Sequence, residues 1–321
     1  MINQLLSEHR LVLDAELTPV VGSTFQPTGF PNLGAAEFER PGQPPSLIVE
    51  SVQSMANHLE ATLWSEPDRQ PVEAVANLPW VRVKAPDGGY LTSSREEPHR
   101  LASPYVRKAQ IGEQTGADWL IEKLAVKNGR PQDRAAIHGA LFDIDPLCLV
   151  HGLFLSDPAF KDFGNPKVRR ALHAVIEAHD VRPAISGGVK RDDVRFTADS
   201  KAGAGSEDGY GFVPFSRTEY VAERIVLSAA LDLEQLRNYR LGAQRTRLLG
   251  LVALYEVVTL LSRPLRLRTA CDLEVVSVTV RGAEPRTLPT FEGLESELAT
   301  TAAAVGFVAP TIIEAVHQDK G

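Results

Sequence analysis

Cysteine is nearly absent: Cys148 and Cys271 are the only two in 321 residues. Two thiols make no disulfide framework, and this pair has no metal-ligand spacing. The expected compartment is therefore the cytoplasm, where thiols stay reduced. Long apolar runs are absent too, so no membrane span is expected. The start Met1-Ile2-Asn3-Gln4-Leu5-Leu6 has neither a basic segment nor a cleavage site, so no secretory signal is expected. Positive charge is in deficit: 41 acids against 34 lysines and arginines leave −7. Taken whole, that balance argues against nucleic acid as a partner.

The signatures of defined reactions are missing as well. No P-loop, nucleophile elbow or dinucleotide fingerprint occurs, and no Gly-Lys-Ser or Gly-Lys-Thr follows the Gly-rich run 203–211. His173 and His179 stand six positions apart and match no metal signature, and His138 and His151 fall on different expected elements. Asp143 with Asp145, and Asp192 with Asp193, are carboxylate pairs of the kind that solvated turns carry. The expectation is a chain with no cofactor, no metal site and no catalytic residue.

What is present is an ordinary globular composition, 43% hydrophobic and 23% charged, with its charge unevenly placed. Residues 1–60 hold seven acids and two bases, net −5, and residues 272–321 hold eight acids and three bases, again −5. Residues 237–270 reverse the sign, with seven arginines against Glu256 alone, net +6. Screening limits the reach of distant charges to about 8–10 Å, so a local arginine cluster can hold phosphate on an acidic protein. The same cluster can equally pair with acidic segments of the chain itself or of a neighbour.

The most informative stretch runs from Gly22 to Asn57. Its first half, Gly22 to Gly34, is dense in Gly and Pro and reads as a shaped loop, with the amide side chains Gln26 and Asn32. Its second half, Leu47 to Leu59, reads as a short apolar strand entering a helix whose buried face is Val52, Met55, Leu59 and Leu63. Gln53, Ser54, Asn57 and His58 are left away from the core near the helix start. Free N–H groups and small polar side chains there make a ready anion site, and they also describe a merely capped helix.

Elsewhere, residues 1–20 read as an amphipathic start and a strand. A short helix is expected at 72–78, a strand at Val81-Arg82-Val83 and a turn at Pro86-Asp87-Gly88-Gly89. The polar segment 91–135 reads as an insertion or projecting arm, Gln132–Phe142 as a helix, and Pro146–Leu155 as a buried strand. Val168–Asp180 fits strand or helix, with strand preferred. Ile185–Asp193 reads as a glycine turn carrying Lys190 and Arg191. Thr218–Leu233 is strand-like, and Gly242–Ser262 has a helix stripe of Leu248, Leu251, Val252, Tyr255 and Val258, stopped by Pro264. Leu265–Leu273 alternates, which faces Arg266 and Arg268 outward together, and 275–280 continues β-rich. Strand, helix, strand in this third is half of a ferredoxin-like or RNA-recognition fold. Residues 290–317 read as one or two closing helices.

The blocks Phe25-Gln26-Pro27-Thr28-Gly29-Phe30-Pro31-Asn32-Leu33-Gly34-Ala35-Ala36 and Val49-Glu50-Ser51-Val52-Gln53-Ser54-Met55-Ala56-Asn57 resemble the Cascade backbone subunit of type I-G (formerly I-U) CRISPR systems, in the repeat-associated (RAMP) superfamily. Ser103-Pro104-Tyr105-Val106, His151-Gly152-Leu153-Phe154, Ser186-Gly187-Gly188-Val189-Lys190 and Leu265–Leu273 fit the same pattern in order, so the resemblance covers about residues 15–280. His58 departs from it, standing where an arginine is expected.

The resemblance implies an α+β fold: one RNA-recognition-motif-like (ferredoxin-like) domain over 1–321 with large inserted arms at 86–135 and 187–215. It implies a cytoplasmic, non-enzymatic antiviral subunit that polymerises along CRISPR RNA. Its partners would be that RNA, copies of itself, other Cascade subunits and the target DNA strand through the guide, with no membrane. The expected RNA contacts are Gln26, Thr28, Ser51, Gln53, Ser54, Asn57, Arg107, Lys108, Lys190, Arg191, Arg245, Arg266 and Arg268. Two rivals stand beside it. One is a RAMP-type endoribonuclease that processes CRISPR RNA with His151 or His173 as general base. The other is an assembly module without RNA contact.

Overall fold

The structure, a computed structural model, describes residues 2–30, 32–191, 212–282 and 287–318. Helix α1 (Ile2–Ser7) leads into β1 (Arg10–Pro19). Then come β2 (Gly29–Phe30), β3 (Gly34–Phe38), β4 (Ser46–Glu50) and α2 (Val52–Ala61). A side layer follows: β5 (Trp64–Ser65), β6 (Gln70–Pro71), β7 (Trp80–Lys84), β8 (Tyr90–Ser93), α3 (Pro104–Lys108), β9 (Gln110–Ile111), β10 (Gln114–Thr115) and α4 (Gly116–Lys123). Next are α5 (Arg134–Ile144), α6 (Leu147–Val150), β11 (Leu153–Phe154), α7 (Pro158–Lys161) and β12 (Lys167–Val168). The long strands β13 (Leu172–Arg191) and β14 (Phe212–Asp232) precede α8 (Leu233–Asn238) and α9 (Ala243–Leu261). The last elements are β15 (Leu265–Arg268), β16 (Cys271–Val280), α10 (Phe291–Ala304) and β17 (Ile312–Val316).

This is a mixed α+β fold around a large antiparallel sheet, ordered β15-β16-β1-β14-β13-β4-β3-β2. Period-two alternation puts one apolar face on each central strand. Registry then lines those faces into rows: Leu11, Leu231 and Leu172 in one, and Leu13, Ala229 and Ala174 in the next. Ala15, Leu227 and Ile176 form a third, and Leu17, Ile225 and Ala178 a fourth. Helix α9 covers these rows with Ala253, Leu254 and Val257. It is buried nearly all round because α10 packs on its outer side, with Tyr255 edge-on to Phe291 at 6.0 Å. Gly250 lets α1 approach closely: a Cβ there would stand 2.7 Å from Leu6 Cδ2.

The second sheet, β10-β9-β17-β7-β8, joins the chain's end to its first third through the parallel β17–β7 pair. Polar side chains lock this side layer to the core. Glu60 of α2 takes a two-pronged bond from Arg100, whose third nitrogen donates to the Gly152 carbonyl at 3.1 Å. Arg95 donates to the Pro79 carbonyl at 2.9 Å, and the Ser94 hydroxyl donates to Asp145 at 2.6 Å.

Several expectations change. The apolar run 146–155 is helix α6 followed by the two-residue β11, because Pro146 opens a helical turn in which all four residues are buried. Gly187 and Gly188 lie inside β13, opposite Ser216 and Phe215, so the pair lies within a strand and makes no turn. Residues 265–280 are a hairpin rather than one strand, turning at Ala270 with φ 58°. Residues 290–317 hold one helix and the strand β17. The polar segment 91–135 is tied down by Leu101, Val106, Leu120 and Leu124, all buried in the common core. The strand preference at 168–180 holds from Leu172, and the helices at 132–142 and 242–262 stand as α5 and α9.

His151 and Glu256 face each other in this core, 2.8 Å apart with neither side chain exposed. Burial lowers the His151 imidazole to about 3 and raises the Glu256 carboxyl well above the carboxylate range. Both shifts favour the uncharged forms, in which the carboxyl is the donor and Nε2 the acceptor. In the unfolded chain Glu256 ionises near its ordinary value, so its folded-state protonation stabilises below that value and is lost as pH rises toward the folded pKa. The stability of the wild type minus that of Glu256→Gln should fall between about pH 5 and 7, approaching ~1.4 kcal/mol per unit. Urea midpoints across that range measure it, and a flat difference would refute the buried, protonated carboxyl.

Candidate nucleic-acid interface

Ser51 opens α2 in extended conformation, φ −75° and ψ 159°, and its hydroxyl accepts the Ser54 N–H at 3.3 Å. The helix is thus capped by its own side chain. Beyond the cap, Gln53 and Asn57 are exposed and share one edge at i, i+4 spacing, while Ser51, Ser54 and His58 are half-buried. Burial lowers the His58 imidazole, leaving it mostly neutral at pH 7 and without the full charge an arginine would bring.

The Gly22–Gly34 loop is stapled to two strands and to the β15–β16 turn. Phe25 exchanges backbone bonds with Tyr220 on β14 at 2.9 and 3.0 Å. Gln26 N–H donates to Ala270 at 2.7 Å, and Thr28 N–H to Val49 at 3.0 Å. Both side chains are half-buried beside the α2 start. Arg268 closes this corner. Its Nη1 donates to the carbonyls of Gln26 at 3.1 Å and Val49 at 3.0 Å, and its Nη2 pairs with the buried Glu50 carboxylate.

The expected outward pair Arg266 and Arg268 is therefore split. A register shift between them, opposite Asp272 and Cys271, breaks the alternation: Arg266 stays exposed and Arg268 turns inward. Arg107 pairs with Asp157 and donates to the Ala102 carbonyl at 2.8 Å, while Lys108 is exposed. Arg245 sits 3.2 Å from Asp143 and over the Phe142 ring. The side chains of Lys190 and Arg191 lie outside the described residues. Helix start and loop thus come together, whereas Arg107 and Arg245 belong to separate ion pairs.

The sheet face opposite α9 carries Val12, Asp14, Glu16, His173, Glu177 and Ser228 over its central strands, and His173 is the one aromatic ring among these six. A lone imidazole is a poorer stacking platform than the paired large rings of base-reading sheets. Among the described residues no three His, Cys, Asp or Glu side chains converge as a metal site, and no helix is long and apolar enough to cross a membrane.

The model of one family, described as CRISPR-associated protein GSU0053 (Cas_GSU0053), matches residues 11–183, more than half of the chain. The chain belongs to the CRISPR-associated protein GSU0053 family. The GSU0053-family match runs from β1 through the loop and α2 into β13, so it takes in the loop and the α2 start but not Arg268, Ala270 or Tyr220, which hold them. No curated protein matches. A chain of a structure titled "CRISPR RNA-guided surveillance complex, pre-nicking" is similar at 13% identity and TM-score 0.45, covering 92% of this chain and 88% of that one. Csc2 of Thermofilum pendens is similar at 12% identity and TM-score 0.31, covering 95% and 80%.

One residue near the corner escaped the sequence reading. Arg170 is half-buried, and its guanidinium donates to Val52 O at 3.3 Å in the first turn of α2 and to His151 O at 3.2 Å. The signal was the basic run Lys167-Val168-Arg169-Arg170, which stands outside the arginine-rich 237–270.

Arg268→Ala should destabilise by about 3 kcal/mol, because it strands the Glu50 carboxylate and frees two carbonyls. Arg268→Lys should recover only part, since an ammonium cannot reach three acceptors in one plane. Urea unfolding with limited proteolysis of segment 22–34 measures both; an unchanged midpoint and cleavage pattern would refute the brace.

Proposed function

We propose that this member of the GSU0053 family is a non-catalytic, guide-RNA-binding backbone subunit of a type I-G Cascade complex. The observation that carries the reading is the part of that corner that falls within the family match. There a shaped loop and a capped helix start present Gln53 and Asn57 to solvent, with Thr28, Ser51 and Ser54 alongside. Amides and hydroxyls grouped at a helix N-terminus suit phosphate oxygens, and phosphate contacts position an RNA without reading its bases. Strand order supports an RNA-recognition-motif-like core: β16-β1-β14-β13, with helices between β1 and β13 and between β14 and β16, is the ferredoxin-like arrangement. The bare face of the sheet favours contact with the RNA backbone over base stacking.

On this reading several copies line up along one CRISPR RNA in the cytoplasm, beside other Cascade subunits, and the guide pairs with the target DNA strand. The acidic ends of the chain suit a basic surface on the next copy. The nuclease rival loses His151, which lies wholly inside the core against Glu256 and cannot reach a substrate. His173 remains exposed on the bare sheet face, where Ala substitution tests it directly.

Co-expression with a CRISPR RNA should yield a large, nuclease-resistant particle with regularly stepped protected fragments, and His173→Ala should leave its RNA intact and unchanged. The double variant Gln53→Glu, Asn57→Asp should bind a labelled guide at least ~10-fold more weakly, about 1.4 kcal/mol. Wild-type affinity in that variant, or RNA turnover abolished by His173→Ala, would overturn the reading.

A further inference from the structure

A cleft of about 860 Å³ lies between the start of α5, the 167–170 segment and α8. Four cations line it: Arg134, Lys167, Arg169 and Arg240, all exposed. None has a carboxylate partner among the described residues, and Lys167 only stands 5.3 Å over the Phe154 ring. Three acids share the cleft, and each is already engaged. Asp133 accepts the Ala135 and Ala136 N–H groups at 3.0 and 3.2 Å as the α5 cap. Asp232 accepts the Gln235 N–H at 2.9 Å and pairs with Arg10 at 2.8 Å. Glu234 pairs with His9 at 2.7 Å and Arg237 at 2.9 Å. Asp133 keeps its charge, while Asp232 and Glu234 are offset by Arg10 and Arg237, so the four cations, unpaired among the described residues, leave the cleft net cationic.

Its walls are held in place. The Gln235 amide donates to the Arg169 carbonyl at 2.6 Å and to the Tyr239 hydroxyl at 2.7 Å, and that hydroxyl donates to the Leu149 carbonyl at 3.0 Å. On the far side the Gln132 amide donates to the carbonyls of Phe163 and Gly164 at 2.9 and 3.0 Å. Arg240 takes the left-handed conformation, φ 59°, at the turn between α8 and α9. The cleft also adjoins the first site along the chain. Arg170, next after Arg169, reaches the first turn of α2.

Charge, chemistry and size together select the ligand. A volume near 860 Å³ lies within the about 300–1,000 Å³ that ligand sites span, room for a short stretch of backbone rather than a long strand. Three of the four cations are arginines, whose forked donors match phosphate oxygens. Tyr239 is 4% exposed with its hydroxyl engaged, so it offers no ring for a base to stack on. We propose that this cleft is a second RNA-contacting surface, binding the sugar-phosphate backbone of single-stranded RNA without sequence preference. The proposal rests on the RNA-binding reading above and extends the contact beyond the α2 corner.

The test uses the full chain and two labelled probes, oligouridylate and oligoadenylate, titrated at several salt concentrations. The triple variant Arg134→Ala, Arg169→Ala, Arg240→Ala removes exposed groups that have no ion-pair partner, so its melting temperature should match wild type. If each lost contact lowers the slope of log affinity against log salt by about 0.7, the slope should shrink by about 2 for both probes. The matching lysine variant should keep most of the slope. Wild-type binding with an unchanged slope in the triple variant would overturn the cleft and leave the proposed function standing. A wild type that binds neither probe at low salt would overturn both. Loss of self-association with RNA affinity intact would reassign the cleft to an acidic segment of another copy, and would also overturn the proposal.

Discussion

Burial of one face of three antiparallel strands, β1, β14 and β13, beneath α9 is the constraint on which the remaining structure depends. Rows such as Leu11–Leu231–Leu172 close only when β1, β14 and β13 keep a single register, because a one-residue slip turns every leucine to water. The register in turn decides what lies at the margins. It sets β4 against β13, lays α2 over β13 and brings the β15–β16 hairpin beside the Gly22–Gly34 loop. The candidate interface is this margin, built from segments far apart in the chain and held where the core ends.

Arginine has two opposite roles here, and its partners tell them apart. Arg100 and Arg268 serve buried or half-buried carboxylates and carbonyls, where losing the charge would leave an uncompensated anion. Arg107 and Arg245 are bound to neighbouring acids. A guanidinium already bridged to a carboxylate has little left for a phosphate. Arg134, Arg169 and Arg240 have no such partner among the described residues and keep their donors for a ligand. Net charge averages these roles together, which is why an acidic protein can still present a cationic cleft.

Much of the framework was legible in the residues. The strand within 1–20 and the stripe of Leu248, Leu251, Val252, Tyr255 and Val258 are local patterns that a core enforces, and both became buried elements. A capped start and the Met55 and Leu59 face of α2 were legible for the same reason, and the structure makes Ser51 the cap. Gly187-Gly188 misled because a glycine pair permits a turn without requiring one, and fifteen or more ladder partners along β14 extend the strand through it. Pro146–Leu155 misled because a short apolar run has no period by which to tell a buried helical turn from a strand.

The sequence by itself determined which faces are apolar, where helices begin and stop, and that local cation density exists within an acidic chain. These follow from side-chain chemistry repeated at fixed spacing. Only the tertiary structure decided which cations are free. That depends on contacts such as Arg268 with Glu50, 218 positions apart, and on a bulge that turns one arginine of a pair inward. It also joined Arg134 to Arg240 across one cleft. Ion pairing acts over a few ångströms in space, and folding alone sets which residues come that near.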